Sequence, residues 1–441
     1  MINVAVIGVS GFGAVHYNDF VREHAAGRVN VVAATVINQS EEAEKCAFLQ
    51  SIGCRLFTDY RVMLEEFRGK IDICFIPTGI AMHCPMTVAA LESGANVYVE
   101  KPVAPTVEET QIRKEAETRP GTFVAVGYQT MYQPETRRIK ELLLAGAIGR
   151  PRIFKSYTLW PRNDAYYSRN NWAGMLSVNG KWVLDSPFTN AMAHFLNLLI
   201  FYAGTSFEGT VDPVEVQAGL FRANRIETND FATIRIKSAL EQQIYFHVTH
   251  VCEKNVNPIS RIEGDAGTID YDEQRTVVTL KNGDTEEFAS TPHDEMRKHI
   301  YDALLKRMED PKQFICTLDL ASKHTLISNA VFDSVPNRDI PQEEVRTVAG
   351  GDRTGKALTL LHKAIENHVW RQEQCVNLIP SENTPSRAVQ LLCASDPAFR
   401  YAEHKKIKSF YDKDVFYYQG TGFIASAEAM LVGEMKKFLG A

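Results

Sequence analysis

The chain has 441 residues, 45% of them hydrophobic and 23% charged, with a formal charge of −6. That length exceeds what one hydrophobic core usually serves, so two or three domains are expected. The acidic balance argues against nucleic acid or an anionic membrane as partner, since either wants a basic stripe; no run approaches the roughly 18 apolar residues of a membrane span.

Residues 1–125 alternate short apolar runs (4–7, 31–36, 73–76, 97–99 and 123–126) with helix-like stretches. The runs are β-branched or aromatic and apolar on both faces, which suits parallel strands covered by helices on both sides. The expectation is an α/β protein opening with a Rossmann-like, doubly wound parallel sheet. Its first strand runs into NVAVIGVSGFGAVH. A G-x-G-x-x-G turn uses its glycines for a tight turn, for close approach to a pyrophosphate and for helix–strand packing. Gly8 and Gly13 hold the first and third places, Ser10 stands at the second, and Gly11 keeps the loop small. These four residues, with Phe12 and His16, are candidate dinucleotide contacts; glycine turns made only for packing are the alternative. The second strand ends ATVINQ, with Asn38 where an acid or an arginine would select a ribose hydroxyl or a 2′-phosphate. NAD and NADP therefore both stay open.

Two further stretches carry chemistry. Pro77, Thr78 and His83 lie in IPTGIAMHCP, and Glu100-Lys101-Pro102 follows the 97–99 strand, at the carboxyl edge where open α/β sheets place ligands. A lysine buried there can lose enough basicity to exchange a proton with a hydroxyl; a plain surface lysine is the other reading.

After Pro151 longer strands follow at 213–223, 231–238, 242–251 and 275–282, among helical stretches at 134–145, 186–203, 293–308 and 317–331. In 242–251, Ile244, Phe246 and Val248 alternate with Tyr245, His247 and Thr249, the period of an antiparallel sheet. Residues 126–345 should form an α+β substrate domain with a large open antiparallel sheet, whose bare face suits a homo-oligomer. The segment 157–172, YTLWPRNDAYYSRNNW, is composed to stack on a polyhydroxylated ring, or is a solvated loop. His194 lies one helical turn after Asn190, so it is either an acid/base group or a satisfied core histidine. Residues 346–364 are polar and glycine-containing, a linker; 365–441 form a mainly helical extension. Eight cysteines without a C-x-x-C pair read as reduced thiols, not a metal site, and Met1 runs straight into a strand. The expected location is the cytoplasm.

Taken in order, these motifs resemble the glucose–fructose oxidoreductase / inositol dehydrogenase (Gfo/Idh/MocA) family over about residues 1–345. That family shows G-x-G-x-x-G-x-x-H, here Gly8 to His16, then T-P-N-x-x-H and E-K-P; Gly79 stands where the family has asparagine. The resemblance implies an oxidoreductase moving a hydride between NAD or NADP and a hydroxyl-bearing carbon of a sugar, cyclitol or related polyol. Lys101 would then bind substrate and assist proton transfer. The family's aspartate, four residues before a histidine, falls on Asn190; Asp185 fits only with about five residues inserted before His194. Transient oxidation that enables glycoside elimination, and a dinucleotide or sugar sensor, are the alternatives.

The tail resembles the N-terminal arm of serine hydroxymethyltransferase from about residue 365, through NLIPSEN (377–383), RYAE (400–403) and FYYQGTGFI (416–424). In that family the matching positions contact cofactor or substrate: Ser381, Tyr401, Glu403 and either Tyr417 or Tyr418. The loop departs at YAEHKKI, and the phosphate loop and Schiff-base lysine would lie past residue 441. The expectation is an arm without pyridoxal chemistry of its own.

Overall fold

The computed structural model describes residues 1–117, 121–350, 353–358, 404–407 and 413–416. The chain divides into two compact units, Met1–Lys363 and Ala364–Ala441.

The first unit opens with alternating strands and helices: β1 Ile2–Ile7, α1 Gly13–Ala25, β2 Val29–Thr35, α2 Ala43–Ser51, β3 Arg55–Phe57, α3 Tyr60–Glu66, β4 Ile73–Ile76, α4 Ile80–Glu92, β5 Asn96–Val99, α5 Val107–Ala116 and β6 Val124–Val126. The strands pair in the order β3-β2-β1-β4-β5-β6, every pair parallel. All four residues of β4 and of β5 are buried, as continuous apolar runs between two helix layers require. The order reverses between β1 and β4, so a crevice for a ligand lies outside their carboxyl ends.

A second sheet follows α6 (Pro134–Leu144). Its strands are β7 Pro151–Leu159, β10 Pro213–Arg222, β11 Phe231–Ser238, β12 Gln243–Thr249, β13 Val256–Gly264, β14 Gly267–Tyr271, β15 Arg275–Leu280, β16 Thr285–Ala289 and β17 Asn337–Asp339. Between β7 and β10 lie α7 (Asp164–Ser168), a small hairpin of β8 (Ser177–Val178) and β9 (Lys181–Trp182), and α8 (Ala193–Tyr202). Helix α10 (Leu318–Ser334) packs on β10, as α8 does on β7, whereas α9 (Met296–Glu309) packs toward the first sheet, with Tyr301 stacked on Phe75 of β4.

The nine strands run β16-β15-β14-β13-β7-β12-β11-β10-β17. The sheet is mixed rather than purely antiparallel, because β7 pairs parallel with β12 and β17 parallel with β10. In β7 burial alternates while hydrophobicity does not, because Ser156 and Thr158 join Phe154 on its buried face. Ser156 is satisfied there by the Ser260 hydroxyl of β13 at 2.9 Å. In β11 the alternation is plain, with Ala232, Ile234, Ile236 and Ser238 turned inward.

The segment expected to be a linker is ordered at its start. Strands β18 (Val345–Gly350) and β19 (Arg353–Leu358) form an antiparallel hairpin. It is tied to the first unit by Lys356 Nζ donating to Ala223 O at 2.7 Å and by Leu358 N–H to Val251 O. In the second unit, β20 (His404–Ile407) and β21 (Lys413–Phe416) pair antiparallel. Ser381, Tyr401, Glu403, Tyr417, Tyr418 and the helices expected around them lie outside the described residues.

Candidate active site

The turn after β1 has the geometry its glycines suggest. Gly8 has φ +98° and Gly11 φ +55°, values that favour glycine. Helix α1 starts at Gly13, where an added Cβ would lie 2.7 Å from the Gly8 carbonyl oxygen, so only glycine lets the helix come this close to the strand. Ser10 occupies the second glycine place and donates to Asn38 Oδ1 at 3.1 Å, tying the turn to the end of β2. Phe12 is half exposed with its edge toward His16. The first-turn N–H groups of α1 thus border a small-residue cradle of the kind that fits a pyrophosphate.

Behind it lies a buried charge cluster. His16 Nε2 is 2.9 Å from Glu100 Oε1, and Arg297 of α9 pairs with Asp19 and reaches Glu100 at 3.9 Å. Burial lowers His16, which stays neutral and donates to the carboxylate. Burial opposes the Glu100 anion, yet the His16 hydrogen bond and the Arg297 and Lys101 charges win and hold it down to about 2. Gly127 lies against this carboxylate, where a Cβ would approach within 2.8 Å of Oε2. His83 bridges the ends of two strand loops, with Nδ1 2.9 Å from Pro102 O and Nε2 3.0 Å from Thr78 O. Burial, then the Arg113 charge, lowers it to about 4, so the neutral ring donates its one N–H to one of these carbonyls and His83 serves as a brace. Pro77 packs 3.7 Å from where a Gly13 Cβ would be, and Thr78 Cγ2 lies as close to Gly8.

Lys101 points to the second domain. Its Nζ donates to Asn190 Oδ1 at 2.7 Å and to Asn190 O at 2.8 Å. Asn190 Nδ2 in turn donates to Asp185 Oδ1 at 2.7 Å, and the Gly174 N–H donates to Asp185 Oδ2 at 2.7 Å. Asn190 therefore joins lysine to aspartate instead of orienting His194, whose Nδ1 has no hydrogen-bond partner. The spacing has a local cause: a π-helical turn, Pro187–Ala191, lies between Asp185 and α8, capped reciprocally by Ser186 and Thr189. Such single turns accommodate extra residues and recur at functional sites.

Burial is the largest cause of three shifts here. It lowers Lys101 against the Glu100 and Asp185 charges, and raises Asp185 against its hydrogen bonds and Lys101. It pushes His194 down to about 3, helped by the Lys101 charge. The site thus holds a weakened ammonium and a neutral imidazole whose ring edge meets Tyr128 at 5.8 Å.

His194 also forms part of the wall of a cavity of about 340 Å³ between 129–139, α8 and strands β13 to β15. Thr130, Trp160 and Thr276 line it as well. The aromatic segment 157–172 contributes more than Trp160: Trp172 Nε1 lies 3.8 Å from where a Gly79 side chain would begin, which puts the indole against the middle motif. The Arg169 guanidinium lies 3.5 Å over the Tyr166 ring, and its charge acts on both Lys101 and Asp185. Arg297 was not legible in the sequence because it sits almost 200 residues from Glu100, and Tyr128 and Thr130 because they stand in no motif. Among the described residues, no helix is long and apolar enough to cross a membrane.

Residues 2–128 match the family model for Gfo/Idh/MocA proteins, described as an oxidoreductase family with an NAD-binding Rossmann fold. Residues 2–128 are a Gfo/Idh/MocA-type NAD-binding domain. The chain is 29% identical over 158 residues to dTDP-3,4-didehydro-2,6-dideoxy-alpha-D-glucose 3-reductase of Streptomyces violaceoruber, covering 36% of this chain and 45% of that one. It is 25% identical over 157 residues to scyllo-inositol 2-dehydrogenase (NAD(+)) of Bacillus subtilis, covering 36% and 44%. The chain thus spans about half the length of these curated relatives. Among solved structures, levoglucosan dehydrogenase in complex with NADH and levoglucosan superposes with a TM-score of 0.63 at 17% identity, over 76% of this chain and 96% of that one. The fold of that dehydrogenase therefore extends beyond the matched domain into the mixed sheet.

Proposed function

We propose that the protein is an NAD-dependent oxidoreductase acting on a CH–OH group of a sugar, cyclitol or related polyol. The observation that carries this reading is the Lys101 amine, made less basic by burial and held by Asn190 beside His194 and its cavity. Bound nicotinamide supplies the hydride acceptor. This chain's own residues do the rest: Lys101 takes the hydroxyl proton at Nζ, Asn190 and Asp185 hold that nitrogen in place, and neutral His194 offers a ring nitrogen to a neighbouring hydroxyl. The same geometry serves the reverse reduction, with Lys101 returning the proton.

NAD is favoured over NADP because Asn38 is bonded to Glu41, and Glu42 takes the nearby Lys45, leaving an acidic turn where a 2′-phosphate would sit. A homo-oligomer through the bare face of the mixed sheet, where Tyr157 and Ile259 are exposed, belongs to the same reading. The serine hydroxymethyltransferase-like tail is an arm without pyridoxal chemistry of its own, since an aldimine needs a lysine in a pocket walled by a large domain. The test is a panel of cyclitols and sugars with NAD⁺ or NADP⁺, followed at the absorbance of the reduced nicotinamide. Turnover with NAD⁺ and little with NADP⁺ is expected; a cofactor-loaded protein that reduces neither with any polyol refutes the reading.

A further inference from the structure

The cavity beside His194 has a charge character that its relatives' names do not convey. Among the described residues its lining contains the carboxylates of Glu135, Asp272 and Glu273, together with His293, and no lysine or arginine. Asp272 and Glu273 stand exposed in the β14–β15 turn at the mouth, while Thr130 and Thr276 line it from buried positions. The hydroxyl oxygens of both threonines are buried and lack any hydrogen-bond partner, which marks a wall built to receive polar groups. Its volume, about 340 Å³, lies near the bottom of the roughly 300–1,000 Å³ range of small-molecule sites. The arginines around it are outside the lining and engaged elsewhere: Arg275 pairs with Glu287, Arg297 with Asp19, and Arg162 and Arg169 lie over the rings of Trp160, Tyr166 and Trp172.

Resting on the oxidoreductase reading, we propose that this cavity selects a single-ring polyol bearing a protonated amine, an aminosugar or aminocyclitol, and rejects phosphorylated rings. A mouth with three carboxylates and no lysine or arginine attracts an ammonium and repels a phosphate, most strongly at low ionic strength. The ring hydroxyls meet Thr130, Thr276 and His194, while the amine faces Asp272 and Glu273.

Calorimetric titration of the full chain saturated with NADH tests this, using glucosamine, glucose and glucose 6-phosphate as matched probes. Glucosamine should bind up to about fivefold more tightly than glucose, the worth of one partly screened ion pair, with glucose 6-phosphate weakest. High salt and the variants Glu273→Gln and Asp272→Asn should each shrink the glucosamine-to-glucose ratio toward one. Equal or tighter binding of glucose 6-phosphate, a ratio indifferent to both variants, or no binding of any probe overturns the proposal. NAD⁺ reduction by polyols without regard to charge leaves the oxidoreductase reading standing and removes this one. Selective amine binding without hydride transfer does the reverse.

Discussion

Lys101 Nζ lies 2.7 Å from Asn190 Oδ1, a contact that spans 89 residues and couples the end of β5 to the π-helical turn before α8. If this amine exchanges the substrate proton, Lys101→Ala should lower turnover by roughly 10²–10⁴-fold, the usual worth of acid/base catalysis, and leave NADH affinity nearly unchanged. Asn190→Ala should lower turnover less, because the backbone carbonyl of residue 190 still accepts from Nζ. Normal steady-state turnover by the lysine variant would rule out the mechanism.

Asp185 acts on the lysine through charge, and the sign is definite. Burial lowers Lys101 from the ordinary lysine value while Asp185 raises it, so removing that anion lowers it further. Oxidation needs neutral Lys101, so its rate should climb with pH through the lysine titration. Asp185→Asn should move that rising limb to lower pH. A limb that stays in place or moves upward in a pH–rate profile contradicts the assignment.

Gly13 sets the distance between α1 and β1. An alanine Cβ there would sit 2.7 Å from the Gly8 carbonyl oxygen, so the backbone must shift at a cost of about 1–3 kcal/mol, typical of overpacking. NADH titration of Gly13→Ala by fluorescence should show markedly weaker binding, and Gly13→Leu none. Wild-type affinity in a folded Gly13→Leu protein sinks the cofactor assignment.

Three histidines are buried at 1–2% exposure and lowered chiefly by burial: His83 to about 4, His250 to about 3 and His324 to about 4. Their folded values lie below the unfolded value of about 6.5, so acid protonates the unfolded chain first. The stability they lend is therefore whole above about pH 6.5 and declines as pH falls toward 4. At pH 5.5 the three together cost up to about 4 kcal/mol. Thermal unfolding should show a lower midpoint at pH 5.5 than at 7.5; an unchanged midpoint contradicts the buried, neutral state of these rings.

The hairpin of β18 and β19 belongs to the first unit, so truncation should be made after Lys363 and not inside the hairpin. That shortened chain should keep its NADH affinity, and neither it nor the full chain should develop absorbance near 420 nm with pyridoxal phosphate. A tail-dependent band, or lost NADH binding in a folded truncation, shows the tail to be part of a working site.

The amino-acid sequence alone determined the parallel sheet, the Gly8-to-Gly13 turn and the lysine at the end of β5. Each depends on neighbours in the chain: apolar runs buried on both faces, glycines whose backbone is their function, and a residue placed at a strand's end. The sequence also held both candidates for the aspartate position but could not choose between them. Asn190 and Asp185 differ by five residues, and only the π-helical turn brings both into one chain of hydrogen bonds with Lys101. The parallel insertion of β7 beside β12, the Arg297 contact with Glu100 and the cavity wall at Thr130 and Thr276 were likewise decided by tertiary packing. The physical reason is distance along the chain: Arg297 and Glu100 lie almost 200 residues apart. Hydrophobic periodicity places a residue on a face, but which face it meets depends on how two sheets and their helices share one core.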